Sequence, residues 1–168
     1  SVSLSLFWAS SATSKTWSVV TPSTPAVMTI SKSDIGVTEI SISVKNEVSN
    51  VEIKVESLKS NPQSAEPTTT VYQYLEITKS QISNDDIDKA TLKFKVSNSW
   101  LDSNGVGENN IVLYRYTDEW VQLATKVISS TSTNVFYEAE TDGFSSFAIG
   151  TKEEAAAVTT TTTTVPPS

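Results

Sequence analysis

The sequence predicts an all-β chain: an antiparallel β-sandwich of jelly-roll or immunoglobulin-like type, with an extended N-terminal strand and a low-complexity C-terminal tail. Three observations carry this expectation. Apolar and polar residues alternate in segment after segment, as in ISISV (40–44), VEIKV (51–55) and TLKFKV (91–96). Val, Ile, Thr and the aromatics, which suit a pleated surface, recur throughout. Clusters of Asn, Asp, Gly, Pro and Ser interrupt these runs at sandwich-like intervals, giving roughly nine strands.

The elements follow in order. Val2, Leu4 and Leu6 alternate with Ser1, Ser3 and Ser5, and Trp8 extends their apolar side, so the chain opens with a one-faced strand. Residues 9–14 are small and polar and read as a linker. Trp17, Val19 and Val20 suit a second short strand, and Pro22 and Pro25 close an N-terminal arm of residues 1–25. The sandwich domain is expected over residues 26–150. After a strand at 27–30, residues 40–44 and 51–55 alternate in step around a polar turn at 46–50, which predicts a β-hairpin with one buried face. A loop over 60–70 with two prolines leads to a strand at 71–77, an acidic turn at 83–88 and a strand whose inward residues are Leu92, Phe94 and Val96. Ser97, Asn98 and Ser99 offer helix caps before Trp100 and Leu101, and Asn104-Gly105 offers a stop, so one short helical turn is expected there. Residues 111–116 and 120–123 form the next hairpin, turning at Asp118-Glu119. A short strand at 126–128 and an alternating one at 135–140 follow, and Gly143 allows the bend into a closing strand at 144–149. Residues 151–168 form a tail with an unbroken threonine run at 159–164, an extended linker and a candidate for O-linked glycans.

Composition excludes several classes of function. A net charge of −7 repels phosphate backbones, so no nucleic-acid partner is expected. There is no cysteine and no histidine, which removes disulfides, thiol nucleophiles, thiolate metal sites and imidazole bases. No G-x-S-x-G nucleophile motif occurs. The chain is therefore read as a non-enzyme without a cofactor. It has no apolar run long enough to span a bilayer and no Asn-x-Ser/Thr acceptor. Its first residues lack the basic flank and continuous apolar run of a signal peptide and are read as a mature N-terminus.

Several motifs in one order carry a resemblance: VYQYLEI, then DDIDKATLKFKV, SWLDSNG, IVLYRY followed by EWVQL, and FYEAETDGFSSFAIG. Over residues 71–150, and more weakly over 26–58, the chain resembles the archaeal PGF-pre-PGF domain. The resemblance implies a secreted archaeal β-sandwich at the cell surface, placed before a threonine-rich spacer. It implies no enzymatic activity and no functional residues. Residues 1–21 lie outside it.

Four groups of residues are candidates for chemistry. Asp85, Asp86 and Asp88, with Asn84, gather oxygen ligands of the kind that hold calcium, but an acidic turn entering a strand accounts for them and is preferred. Asp102, Asn104 and Glu108 have part of a calcium-loop pattern at too short a spacing, and a helix stop explains them better. Glu138 and Glu140 lie two residues apart on one strand face; paired carboxylates can serve glycoside hydrolysis, but these are read as a solvated strand face. Trp8, Trp17, Trp100 and Trp120 are read as packing residues rather than as a sugar-stacking platform.

The arm decides the functional reading. Val2, Leu4, Leu6 and Trp8 need an apolar home, and each gains ~1.5–3 kcal/mol on burial. The chain is expected to be the structural subunit of an extracellular archaeal filament or surface assembly. Its partner is itself, in a head-to-tail homopolymer held by strand insertion, with contact to the cell envelope. The alternatives are an arm folded back on its own domain, and a surface adhesin or carbohydrate-binding module acting as a displayed monomer.

Overall fold

Eleven strands form within residues 11–153, the part of the chain that the computed structural model describes. They are β1 (Ala12–Val20), β2 (Ala26–Thr29), β3 (Val37–Val44), β4 (Val48–Leu58), β5 (Val71–Ser80), β6 (Ile87–Ser97), β7 (Ile111–Tyr116), β8 (Trp120–Gln122), β9 (Thr125–Ser130), β10 (Asn134–Thr141) and β11 (Ser146–Thr151). One sheet has the order β1-β4-β5-β11-β7-β8 and the other β2-β3-β6-β10-β9. All pairings are antiparallel, and the two sheets pack into the expected β-sandwich.

Alternation sets the core. Ile40, Ile42, Leu92, Phe94, Val135 and Tyr137 point inward from the five-stranded sheet, and Val51, Ile53, Leu75, Ile77, Leu113 and Phe147 from the six-stranded one. Phe94 and Tyr137 stack with their ring centroids 5.1 Å apart. The Tyr137 hydroxyl reaches the edge of this core and donates to the Glu108 carbonyl over 2.7 Å.

Three expectations change. Residues 40–44 and 51–55 are not a hairpin: β3 pairs with β2 and β6, whereas β4 pairs with β1 and β5 in the other sheet. The polar turn between them is a corner from one sheet to the other, and the two apolar faces meet across the core instead of lying side by side. Ala12, Thr13 and Ser14, expected in a linker, begin β1, and β1 is hydrogen-bonded to β4 over its length. Described strands number eleven rather than roughly nine, and each falls on a segment that the sequence predicts as a strand.

The helical turn forms as its caps dictate. In α1 (Asn98–Asn104) the Ser97 hydroxyl accepts the Trp100 amide over 3.1 Å. Gly105 ends the helix in the left-handed region, φ 63°, where its lack of a Cβ matters, and the Val106 amide returns to the Leu101 carbonyl over 2.9 Å.

The chain closes both long sides of the sandwich. Residues 21–25 pass from β1 to β2, and Leu123-Ala124 pass from β8 to β9, each time between edge strands of opposite sheets. Lys15 lies opposite Ile53 in the register and so points to the core side of β1. Its ammonium donates to the Val27 carbonyl of β2 over 3.1 Å and stands 5.4 Å from the centre of the Trp17 ring. An inward-pointing lysine at an edge discourages further strand pairing there. The bulge between Phe136 and Tyr137 has the same effect where β10 meets the opposite edge strand, β9.

Candidate functional site

The donor-strand residues Val2, Leu4, Leu6 and Trp8 lie outside the described residues. What the structure gives is the point where their segment joins the sandwich. Ser11 stands at the start of edge strand β1. Its carbonyl accepts the Ser57 amide over 2.9 Å, and its hydroxyl donates to the Asp34 carboxylate. That bond is the main reason the Asp34 carboxyl is held below its ordinary value. Lys152, just past the end of β11 at Thr151, lies at the same end of the sandwich, where its amide donates to the Asn110 carbonyl over 2.7 Å. Trp17 has found an apolar home in its own domain, half-buried against the core, and Val20 is buried. The other β1 side chains are half-buried or exposed.

The acidic turn is structural in detail. Asn84–Asp86 form a 3-10 turn, and the Asp86 carboxylate accepts the Ser83 amide over 2.9 Å and the Ser83 hydroxyl over 3.1 Å. Asp85 sits in the same turn, and Asp88 falls on β6. Among the described residues, no three His, Cys, Asp or Glu side chains come together in a group able to hold a metal ion. The Asp102 to Gly105 segment is the end of α1, as its stop signal predicts.

Glu138 and Glu140 face outward from β10 and line a surface cleft of about 390 Å³ with Lys89 and Lys126. Each carboxylate is matched by a lysine: Glu140 with Lys89 over 3.0 Å and Glu138 with Lys126 over 3.7 Å. Lys93 also stands opposite both Glu138 and Glu39, 3.7 Å from the latter. The result is a rank of alternating charge, Glu39–Lys93–Glu138–Lys126, across four strands of the five-stranded sheet.

The tryptophans pack. Trp100 meets Tyr72 edge-on at 5.0 Å. Trp120 sits between Tyr116 and Tyr74, at 5.3 and 6.2 Å, and its indole N–H donates to the Ala65 carbonyl over 2.8 Å. Trp100 and Tyr72 pack against the main core, whereas Trp120 and Tyr74 belong to a second apolar cluster, centred on Val112, Tyr114 and Ala148, on the outer face of the six-stranded sheet.

Loop 59–70 crosses this outer face. Beside the Ala65 bond, the Tyr74 hydroxyl donates to Glu66 over 3.2 Å, and the Thr68 and Thr151 hydroxyls are 2.9 Å apart. Burial, with Glu66 second, pushes the Tyr74 phenol up to about 12. Burial also raises Tyr114, whose hydroxyl donates to the Thr151 carbonyl over 2.6 Å. Sequence reasoning missed one constellation under this loop. Ser146 and Glu76 are cross-strand partners, and the Ser146 hydroxyl donates to the Glu76 carboxylate over 2.6 Å. The Gln63 carboxamide nitrogen then donates to the same Ser146 oxygen over 3.2 Å. Ser146 is buried, 4% exposed. No sequence motif links the three residues; only the pairing of β5 with β11 and the path of the loop bring them together.

No protein-family model matches the chain, and no curated protein is significantly similar to it.

Proposed function

We propose that the chain is a structural subunit of an extracellular archaeal filament or surface assembly. Copies join head to tail when the N-terminal strand bearing Val2, Leu4, Leu6 and Trp8 inserts into a neighbour. The observation that supports this reading is the place where that segment meets the described sandwich. Its alternating apolar residues precede Ser11, which stands at one end of an edge strand in a sandwich whose described core is already packed from its own two sheets. Ten extended residues span about 33 Å, nearly the length of a long strand such as β6. That reach is enough to run along a neighbouring subunit. The resemblance to PGF-pre-PGF domains supports the surface location, and the threonine-rich tail suits a spacer bearing glycans toward the cell envelope.

Electron microscopy of the native-source protein tests it, beside a Leu4→Asp, Leu6→Asp variant. Filaments of regular repeat that disappear in the variant are the expected result. Dispersed particles of single-subunit size in both samples would overturn the assembly. They would favour the second reading, a displayed adhesin or carbohydrate-binding module, for which the Trp120, Tyr116 and Tyr74 rings are the surface aromatics to probe.

A further inference from the structure

We propose that Gln63 and Ser146 become joined by an internal ester bond that fastens loop 59–70 to strand β11. The two side chains already touch, the Gln63 nitrogen lying 3.2 Å from the Ser146 oxygen. A serine hydroxyl is a weak nucleophile unless a base takes its proton. Here the Glu76 carboxylate accepts that proton's hydrogen bond at 2.6 Å, within the range a general base requires. The electrophile is the Gln63 carboxamide carbon, one bond behind the nitrogen in contact. The last torsion of a glutamine side chain is broad, so a turn of the carboxamide presents that carbon to the hydroxyl oxygen.

The reaction is a transfer of the glutamine acyl group from nitrogen to oxygen. Glu76 removes the hydroxyl proton as the Ser146 oxygen adds to the Gln63 carbonyl carbon. The carbon–nitrogen bond then breaks, and the nitrogen leaves as ammonia with the proton that Glu76 returns. One amide and one alcohol give one ester and one ammonia, with no oxidation and no co-reactant.

An amide is a sluggish acyl donor in water, and fixed proximity is what changes that. All three residues are held. Ser146 and Glu76 are register partners on neighbouring strands. The Gln63 backbone N–H donates to the Asn61 side-chain oxygen over 2.8 Å, and the Asn61 side-chain nitrogen donates to the Ala65 carbonyl, itself bound by Trp120. The burial of Ser146 also keeps away the water that would hydrolyse the product. The bond would close a loop of 83 residues in a chain that has no cysteine for a disulfide. This inference stands apart from the proposed assembly and holds for a monomer or a polymer.

Intact-mass spectrometry of the folded full-length chain tests it. The expected mass is lower than the sequence mass by one ammonia, and peptide mapping should recover Gln63 and Ser146 in one cross-linked species that hydroxylamine opens. Ser146→Ala and Gln63→Ala should each restore the full mass of their own sequence, Ser146→Thr should retain the loss, and Glu76→Gln should leave most molecules unlinked. A wild-type chain at its full sequence mass would overturn the proposal. So would an ammonia loss that maps elsewhere, such as a succinimide at Asn104-Gly105.

Discussion

The two sheets share one core and differ in what they do with their other faces. The five-stranded sheet turns outward a lattice of charge left uncovered among the described residues, in which Glu39, Lys93, Glu138 and Lys126 form one rank and Lys89 reaches Glu140. The six-stranded sheet turns outward Val112, Tyr114 and Ala148, covered by loop 59–70 and by Trp120 and Tyr74. An uncovered face has to be soluble and gains little from its contacts. A covered face becomes a second, smaller core, and the loop that covers it has to be held in place.

The largest test of this difference truncates an outward residue beneath the loop. Tyr114 is 2% exposed although it points away from the main core. Tyr114→Ala should cost about 3–5 kcal/mol in denaturant unfolding, the penalty of an aromatic lost from a core. A cost below about 1 kcal/mol, the scale of an ordinary surface substitution, would mean that the loop packs loosely and the two faces are energetically alike.

The same difference decides what was legible in the sequence. In β6 and β10 one face is wet, so polar and apolar residues alternate and the inward set of Leu92, Phe94, Val96, Val135, Tyr137 and Ala139 can be read directly. In β7 and β11 both faces are covered at Ile111 to Tyr114 and at Phe147 to Ile149, so each segment reads as a continuous apolar run. Such a run shows that a strand is buried without saying which residue faces which layer. Alternation has a blind spot of its own: β3 and β4 would carry the same pattern as a hairpin in one sheet or as a corner between two. The cap at Ser97 and the stop at Gly105 were readable because they depend on neighbours in the chain. The contact of Ser146 with Gln63 and Glu76 depends on residues far apart in sequence, and nothing local announces it.

A smaller test adds an atom where the loop comes closest. A Cβ on Gly150 would lie 2.8 Å from the Thr68 methyl and 2.8 Å from the Thr70 carbonyl. The carbonyl is backbone and cannot swing aside, so Gly150→Ala should lift the loop at a cost of about 1–3 kcal/mol. Its effect should appear as faster amide exchange in residues 59–70, with the five-stranded sheet unchanged. Equal loosening of both sheets would show that the loop is not a separate layer.

Alkaline pH probes the same contrast through tyrosine. Tyr74 under the loop and Tyr137 in the core are both raised from 10 to about 12, first by burial and then by Glu66 and Glu108 respectively. Between these values the unfolded chain gives up its phenolic protons while the folded chain keeps them. The stability these groups contribute is therefore complete below pH 10 and is lost as pH rises from 10 towards 12. Thermal midpoints measured across that window should fall, and Tyr74→Phe should make the fall shallower. An unchanged slope in that variant would mean that the Tyr74 phenol is as free as in the unfolded chain.

The smallest effect belongs to the bare face. Lys126 keeps 74% of its side chain exposed in its pair with Glu138, and Lys93 keeps 40% in its pair with Glu39. Water screens both, and each long side chain gives up rotamer freedom to hold its place, so either pair is worth only about 0–1 kcal/mol. Lys93 differs from Lys126 in standing between two carboxylates, Glu39 and Glu138, which its removal leaves opposite one another across the gap. Lys93→Ala should therefore cost more than Lys126→Ala, and the excess should shrink as added salt shortens the screening length. A double-mutant cycle of Lys93→Ala with Glu39→Gln, run at low and high salt, isolates that term. A coupling that survives high salt would mean that the rank is shielded from solvent, and that the outer face of the five-stranded sheet is covered after all when the protein is in its working state.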